Sequence, residues 1–347
     1  MLVLDKEIKV LIVDDSAFMR HIIRDLLQSN NKIKMDFASN GKLALQKIKE
    51  FKPDIITLDI EMNVMNGLEL LSEMRSQNIF IPTIMISKFT QKNGETTMKA
   101  LDLGAIDFIP KPEDKLINIE FDKLSKELCD KINIALNISK RPVLTQLQKE
   151  KIQFKGSFII PKLLVIGAST GGPTALYTIF STLPKVNIPI IIVQHMPDGF
   201  TNSLAKRLND ISDMNVKVAE DGEAIKAGNV YVAPGDYHLT VTQEQTIKLD
   251  KSPTYKGVRP SVDITLKSVA KVYQGRVLNV ILTGMGNDGC EGVEIINELG
   301  GKCIAQDKDS SVVFGMPEAV IESYNVDSIV SLSRISEEIV YYLSNWN

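Results

Sequence analysis

Lys162-Leu163-Leu164-Val165-Ile166-Gly167-Ala168-Ser169-Thr170-Gly171-Gly172-Pro173 is the stretch on which the fold turns. A short apolar run, a cluster of small residues and a proline spell a buried strand, a sharp turn and the first turn of a helix, where proline's missing N–H is no loss. From Gly167 to Gly171 the residues match G-x-S-x-G, which places the Ser169 hydroxyl at the bend, beside the free N–H groups of a helix start. The same residues suit a glycine-rich turn that holds a phosphate, because those N–H groups attract any anion. Strand, turn and helix are the repeating unit of a parallel α/β sheet under either reading. Which chemistry the turn serves depends on whether a base and an orienting acid exist elsewhere.

The 347 residues suffice for two domains, each with its own core. Charged residues at 24% and apolar residues at 44% are the balance of a soluble globular chain. A net charge of −3 without a basic block argues against a nucleic-acid footprint. Cys129, Cys290 and Cys303 are odd in number and lack C-x-x-C spacing, so neither a disulfide framework nor a zinc site is expected. With no signal-peptide pattern at Met1 to Lys6 and no run of bilayer length, a cytoplasmic location is expected.

In the first 136 residues β-like runs alternate with helical patterns five times: Lys9 to Val13, Lys34 to Phe37, Asp54 to Leu58, Thr83 to Ile86 and Ala105 to Ile109 are the strands. That rhythm predicts a five-stranded doubly wound parallel sheet, with ligands beyond the carboxyl ends of the strands. Asp14 and Asp15 follow the first strand, Asp59 the third, Ser87 the fourth and Lys111 the fifth. Three carboxylates at one edge repel unless a cation joins them, and hard oxygen ligands suit Mg²⁺. Asp59 is then a candidate nucleophile for a phosphoryl group, Lys111 a charge-spreading cation, and Ser87 a hydrogen-bond donor to the product.

Val13-Asp14-Asp15-Ser16, Leu58-Asp59-Ile60-Glu61-Met62, Ser87 and Lys111-Pro112 resemble the receiver domain of two-component response regulators. The resemblance implies Asp59 as phosphoacceptor, Asp14, Asp15 and Asp59 around Mg²⁺, Ser87 and Lys111 as the switch pair, a cis bond before Pro112 and a histidine kinase as phosphodonor. Asn63 stands where receivers usually have proline, and Asn66 where aspartate is common, which puts the geometry of that loop in question.

Residues 137–158 lose the strand rhythm and read as a polar tether. Residues 159–347 resume it, with strands expected at Lys162 to Ile166, Ile190 to Val193, Val277 to Leu282 and Lys302 to Ala305. A hairpin at His238 to Val241 and Thr246 to Leu249 makes this a mostly parallel sheet domain with an antiparallel insert. Of the three histidines, His195 directly follows a strand at the same edge as Ser169 and is the best base. His21 reads as a surface residue and His238 as a second choice. Asp288, following another buried strand, is the expected orienting acid, with Asp198 and Asp263 as rivals. The order Ser, His, Asp is no objection, because triads are defined by geometry.

Gly284, Gly286 and Gly289 also spell G-x-G-x-x-G, with Asp309 about 20 residues beyond, and on those residues alone a dinucleotide is the better expectation. That reading leaves Ser169 and His195 without a role. A receiver that acts only by binding a partner is a further alternative.

Gly167 to Gly172, Val193-Gln194-His195-Met196-Pro197, Val232-Ala233-Pro234-Gly235, Arg259-Pro260-Ser261-Val262-Asp263, Leu282 to Gly289 and Phe314-Gly315-Met316-Pro317 together resemble the catalytic domain of chemotaxis protein-glutamate methylesterases. The resemblance implies Ser169 as nucleophile, His195 as base and Asp288 as orienting acid, with Thr170 and Met285 as oxyanion or substrate neighbours and no cofactor for the esterase. It implies methyl-esterified glutamates, and glutamines for deamidation, on the cytoplasmic helices of chemoreceptors as substrates. Met196, Phe200, Met285, Phe314 and Met316 are expected to wall the site. Fusion to a receiver suggests that the unphosphorylated receiver covers the Ser169 edge and that phosphorylation at Asp59 loosens it.

Overall fold

A computed structural model describes residues 7–28, 32–88, 91–111, 117–138, 161–323 and 326–346. The chain divides into two units, Met1–Thr145 and Gln146–Asn347. Most of the expected tether, and the bond before Pro112, lie outside the described residues.

In the first unit β1 (Ile8–Val13), β2 (Ile33–Ala38), β3 (Ile55–Asp59), β4 (Thr83–Ser87) and β5 (Asp107–Pro110) pair in parallel in the order β2-β1-β3-β4-β5. Helices α1 (Ala17–Leu27), α2 (Gly41–Phe51), α3 (Gly67–Ser76), α4 (Gln91–Asp102) and α5 (Ile117–Ile138) link and follow them. Every residue of β3 and β4 is buried, which is why these strands read as unbroken apolar runs rather than alternating ones. The strand order reverses between β1 and β3, so the ligand crevice of this fold falls at Asp14, Asp15 and Asp59. In the loop between β3 and α3, Asn66 caps the helix reciprocally: its side chain accepts from Glu69 N at 3.0 Å, and Glu69 Oε2 accepts from Asn66 N at 2.8 Å. Asparagine therefore starts this helix as aspartate would.

The second unit is built on β6 (Leu163–Ala168), β7 (Ile190–Gln194), β8 (Asn215–Val218), β9 (Asn229–Val232), β12 (Val277–Ile281), β13 (Lys302–Gln306) and β14 (Ser328–Val330). They form one sheet in the order β14-β13-β12-β6-β7-β9-β8, parallel throughout. The expected hairpin exists as a separate ribbon, β10 (His238–Val241) with β11 (Ile247–Asp250). Helices α6 (Gly172–Phe180), α7 (Asp198–Ile211), α8 (Val262–Tyr273), α9 (Cys290–Glu298), α10 (Gly315–Ser323) and α11 (Ile335–Ser344) complete the unit. β14 was not expected, since three residues are too few to carry a pattern.

β6 lies between β12 and β7, so successive crossovers leave it in opposite directions and a crevice opens at the ends of these three strands. Two glycines set how closely the helices approach it. A Cβ on Gly167 would come within 2.9 Å of both Val262 methyl carbons, and one on Gly292 within 2.4 Å of Leu266 Cβ. The first turn of α8 thus rests on β6 while α9 rests on α8. Substituting Gly292→Ala should force these helices apart; set against the gain in helix propensity, the expected net loss is about 1–2 kcal/mol. Urea unfolding followed through Trp346, the only tryptophan and a reporter of this unit alone, measures it.

Candidate active site

Ser169, His195 and Asp288 follow β6, β7 and β12, the three adjacent strands of the crevice. The His195 Nε2 lies 2.8 Å from Asp288 Oδ2. Ser169 is half-buried, and a Cβ on Gly284, in the turn before Asp288, would touch its Cβ at 2.7 Å. The turn after β12 therefore lies directly against the serine, with Met285 exposed beside it.

Asp288 is buried and every lone-pair direction of its carboxylate is used. Oδ2 also accepts from Val262 N at 2.6 Å, and Oδ1 accepts from Ser261 Oγ at 2.8 Å and Asp263 N at 3.1 Å. Burial by itself would raise the Asp288 pKa; the hydrogen bond and charge of His195, with Ser261 and Val262, outweigh it and bring the value down to about 2. Ser261 is the N-cap of α8 at the same time, accepting from Ile264 N at 3.3 Å. With Nε2–H given to an ionised carboxylate, the imidazole presents Nδ1 as its acceptor.

At the turn, Ser169 N donates to Thr283 O at 3.0 Å and Thr283 Oγ1 donates to Thr170 O at 2.9 Å. The Ser169 carbonyl accepts from Gly172 N at 2.8 Å and from Gln194 Nε2 at 2.8 Å. Because C=O and N–H point opposite ways across a trans peptide, anchoring these two carbonyls inward turns the N–H groups of Thr170 and Gly171 outward. Among the described residues neither donates to the protein, nor does the Ser169 hydroxyl make a hydrogen bond. Gly171 adopts a φ of 79°, the left-handed conformation that glycine tolerates, and α6 starts with no side-chain cap.

The rivals fall elsewhere. Asp198 is exposed at the start of α7. Asp263 is buried but faces Lys256 Nζ at 2.7 Å and accepts from Gly292 N at 2.8 Å; burial, then the Asp288 charge, keeps its pKa above the ordinary range despite the lysine. His238 is fully buried, with Nε2 3.1 Å from the Pro253 carbonyl. His21 is exposed on α1. The glycine fingerprint does form a strand-to-helix turn, but a pyrophosphate at the start of α9 would meet the Asp288 carboxylate. Phe200 and Met316 are fully buried core residues, Met196 is buried, and of the expected wall only Met285 and Phe314 retain exposure. Sequence reasoning does not reach Ser261, Thr283 and Gln194: they touch the site through hydrogen bonds to residues distant in sequence or to main-chain carbonyls, and the N-cap position of Ser261 is the only local signal.

In the first unit the carboxylate oxygens of Asp14, Asp15 and Asp59 lie within 4.8 Å of one another. The Lys111 Nζ is 2.7 Å from both Asp14 Oδ2 and Asp59 Oδ2. Burial, then the Asp14 charge, raises the Asp59 pKa to about 6 against the pull of Lys111. Burial works against the charge on Lys111, yet Asp59 and Asp14 hold its pKa above the ordinary value. Ser87 is buried, accepting from Thr97 Oγ1 at 3.1 Å, and its carbonyl accepts from Lys111 N at 2.7 Å. Clustered hard oxygens beside one cation are a donor set that fits Mg²⁺.

These two units define a response regulator: a receiver domain followed by a mostly parallel α/β output domain. Family models match residues 10–119 as a response regulator receiver domain and 164–339 as CheB methylesterase. The chain belongs to the CheB methylesterase family. It is 44% identical over 341 residues to the protein-glutamate methylesterase/protein-glutamine glutaminase of Clostridium acetobutylicum, covering 96% of this chain and 97% of that protein. The Thermotoga maritima protein of the same name is 43% identical over 343 residues, with 97% and 98% covered. The crystal structure of the Thermotoga maritima CheB methylesterase catalytic domain superposes with a TM-score of 0.50 at 48% identity, over 52% of this chain and 97% of that one. Fold and family are those expected from the motifs.

A carboxylate whose folded pKa is depressed stabilises the fold above its unfolded pKa of about 4, and that stabilisation is lost as pH falls towards about 2. The second unit should therefore lose stability to urea between pH 5 and 3 more steeply with Asp288 than in Asp288→Asn, as read by Trp346 fluorescence; parallel losses would contradict the assignment.

Proposed function

We propose that this protein hydrolyses methyl esters of glutamate side chains on chemoreceptor cytoplasmic helices, and deamidates receptor glutamines, by an acyl-enzyme mechanism switched by phosphorylation of Asp59. The observation that carries the reading is the His195 Nε2 to Asp288 Oδ2 hydrogen bond of 2.8 Å at the strand ends flanking Ser169. The names borne by the Clostridium and Thermotoga relatives support the substrate class.

In this mechanism His195 Nδ1 takes the Ser169 proton as Oγ attacks the ester carbonyl. The outward N–H groups of Thr170 and Gly171, with Met285 beside them, receive the oxyanion, each donor contributing about 10²–10³ in rate. The intermediate collapses as the imidazolium returns the proton to the leaving group, releasing methanol from an ester or ammonia from an amide. Water, deprotonated by His195, then cleaves the acyl-serine to leave a glutamate carboxylate and free Ser169. Asp288 stays ionised throughout and stabilises the imidazolium.

On the receiver, an Asp59 oxygen attacks the phosphorus of a phosphorylated histidine on the kinase, the P–N bond breaks and the kinase imidazole leaves; Lys111 balances charge on the phosphoaspartate, and Ser87 hydrogen-bonds a phosphate oxygen. Asp14, Asp15 and Asp59 would hold Mg²⁺, which when bound neutralises charge on the phosphoryl oxygens. The unphosphorylated receiver restrains the esterase, and phosphorylation relieves it.

Methanol release from methylated receptor membranes tests the scheme. Ser169→Ala should lower the rate at least about 10³-fold, and Asp59→Asn should abolish stimulation by a small phosphodonor. No methanol from the intact, phosphodonor-treated protein would end the proposal. Residues 156–347 alone should release methanol faster than the unphosphorylated full chain; an equal or slower rate removes the receiver's restraining role.

A further inference from the structure

Gln194 closes β7 with its side chain almost entirely buried, at 2% exposure. Its Nε2 donates twice, to the Ser169 carbonyl at 2.8 Å and to the His195 carbonyl at 3.0 Å. Both partners are pure acceptors, so only the nitrogen end of the amide can face them. The opposite end bears a cost: Oε1 is buried and has no hydrogen-bond partner. The neighbouring backbone is shaped around it, since a Cβ on Gly172 would lie 2.0 Å from Oε1. An apolar side chain would fill this space without an unpaired oxygen, but it would give up both hydrogen bonds to the carbonyls.

The two carbonyls show what these bonds connect. The Ser169 carbonyl belongs to the peptide unit whose other end is the Thr170 N–H, and the His195 carbonyl belongs to the main chain that carries the imidazole. We infer that Gln194 is a positioning residue of the esterase: its amide ties the peptide that presents the oxyanion donor to the backbone of the base. One planar group thereby sets the direction of the Thr170 N–H and the spacing between serine and imidazole. The β6–β7 ladder ends just there, with Ala168 opposite Gln194 and His195 N donating to Ala168 O at 2.9 Å. Beyond it, the side-chain amide is what holds the two strand ends in register. The inference rests on the reading of Ser169 as nucleophile and His195 as base.

Gln194→Met keeps the bulk without the donors, and Gln194→Glu keeps the shape but turns acceptors on the carbonyls. In the full chain with phosphodonor, each should lower kcat for methanol release about 10–100-fold while KM is unchanged, because the lost alignment acts on the transition state. Labelling of Ser169 by a fluorophosphonate should slow in parallel. A folded Gln194→Met variant with the kcat of the parent, in an assay where Ser169→Ala is inactive, overturns the inference and leaves the mechanism standing; activity retained by Ser169→Ala overturns the mechanism instead. Should both glutamine variants unfold, the unaltered protein decides. The Gln194 side-chain amide protons, observed by ¹⁵N NMR, should exchange with solvent far more slowly than a free amide and should shift on fluorophosphonate labelling. Exchange at the free rate with no shift overturns the inference.

Discussion

The ionised carboxylate of Asp288, withdrawn from water, is the constraint around which the second unit is arranged. A buried anion is tolerated only when its lone pairs are satisfied, and here the main chain of one helix supplies two donors, the cap of that helix a third and an imidazole the fourth. Two helix N-termini meet at this point, and each supports the acid of the other: α8 donates to Asp288, which precedes α9, and α9 donates through Gly292 N to Asp263 at the start of α8. The close approach of α8 and α9, made possible by Gly292, is therefore also the condition for holding the acid. An acid fixed in this way also fixes the imidazole that it holds by Nε2.

The receiver holds its carboxylates with a different balance of partners. Asp14 Oδ1 accepts from Ser16 N at 2.9 Å and Asp59 also accepts a main-chain hydrogen bond, but the partner the two acids share is the end of a flexible side chain, the Lys111 ammonium. Asp59 is held with its pKa well above the usual carboxylate range, whereas that of Asp288 is held well below it. One arrangement suits a group whose charge must change hands, the other a group whose charge must stay.

Much of this was legible in the sequence because both units are parallel α/β sheets, in which strands announce themselves as apolar runs and functional residues sit just past them. Asp14, Asp59, Ser87, Lys111, Ser169 and His195 stand at or just beyond the carboxyl end of such a run, and Asp288 closes the turn that follows one, and that position singles them out. The illegible part depends on pairings that local pattern does not carry. Nothing near Ser261 says that its hydroxyl meets a carboxylate 27 residues on, and Gln194 looks like any polar residue at a strand end. Asp198 stands close to His195 in sequence and is exposed, while the true partner lies 93 residues away. Phe200 and Met316 read as pocket lining and are core, since apolar side chains look alike on either side of a sheet. The glycine fingerprint is a strand-to-helix turn, and its glycines alone do not say which ligand, if any, it serves.

The sheet order has a consequence for how the enzyme is born. β6 and β7 are neighbours in the sequence and can pair once both have left the ribosome, but β12 must come from far downstream and dock on the other edge of β6. Until it does, the imidazole has no acid and the turn at Gly284 does not lie against Ser169. A nascent chain thus lacks this arrangement for most of its synthesis, and the second unit completes it late, with the closing of its own sheet.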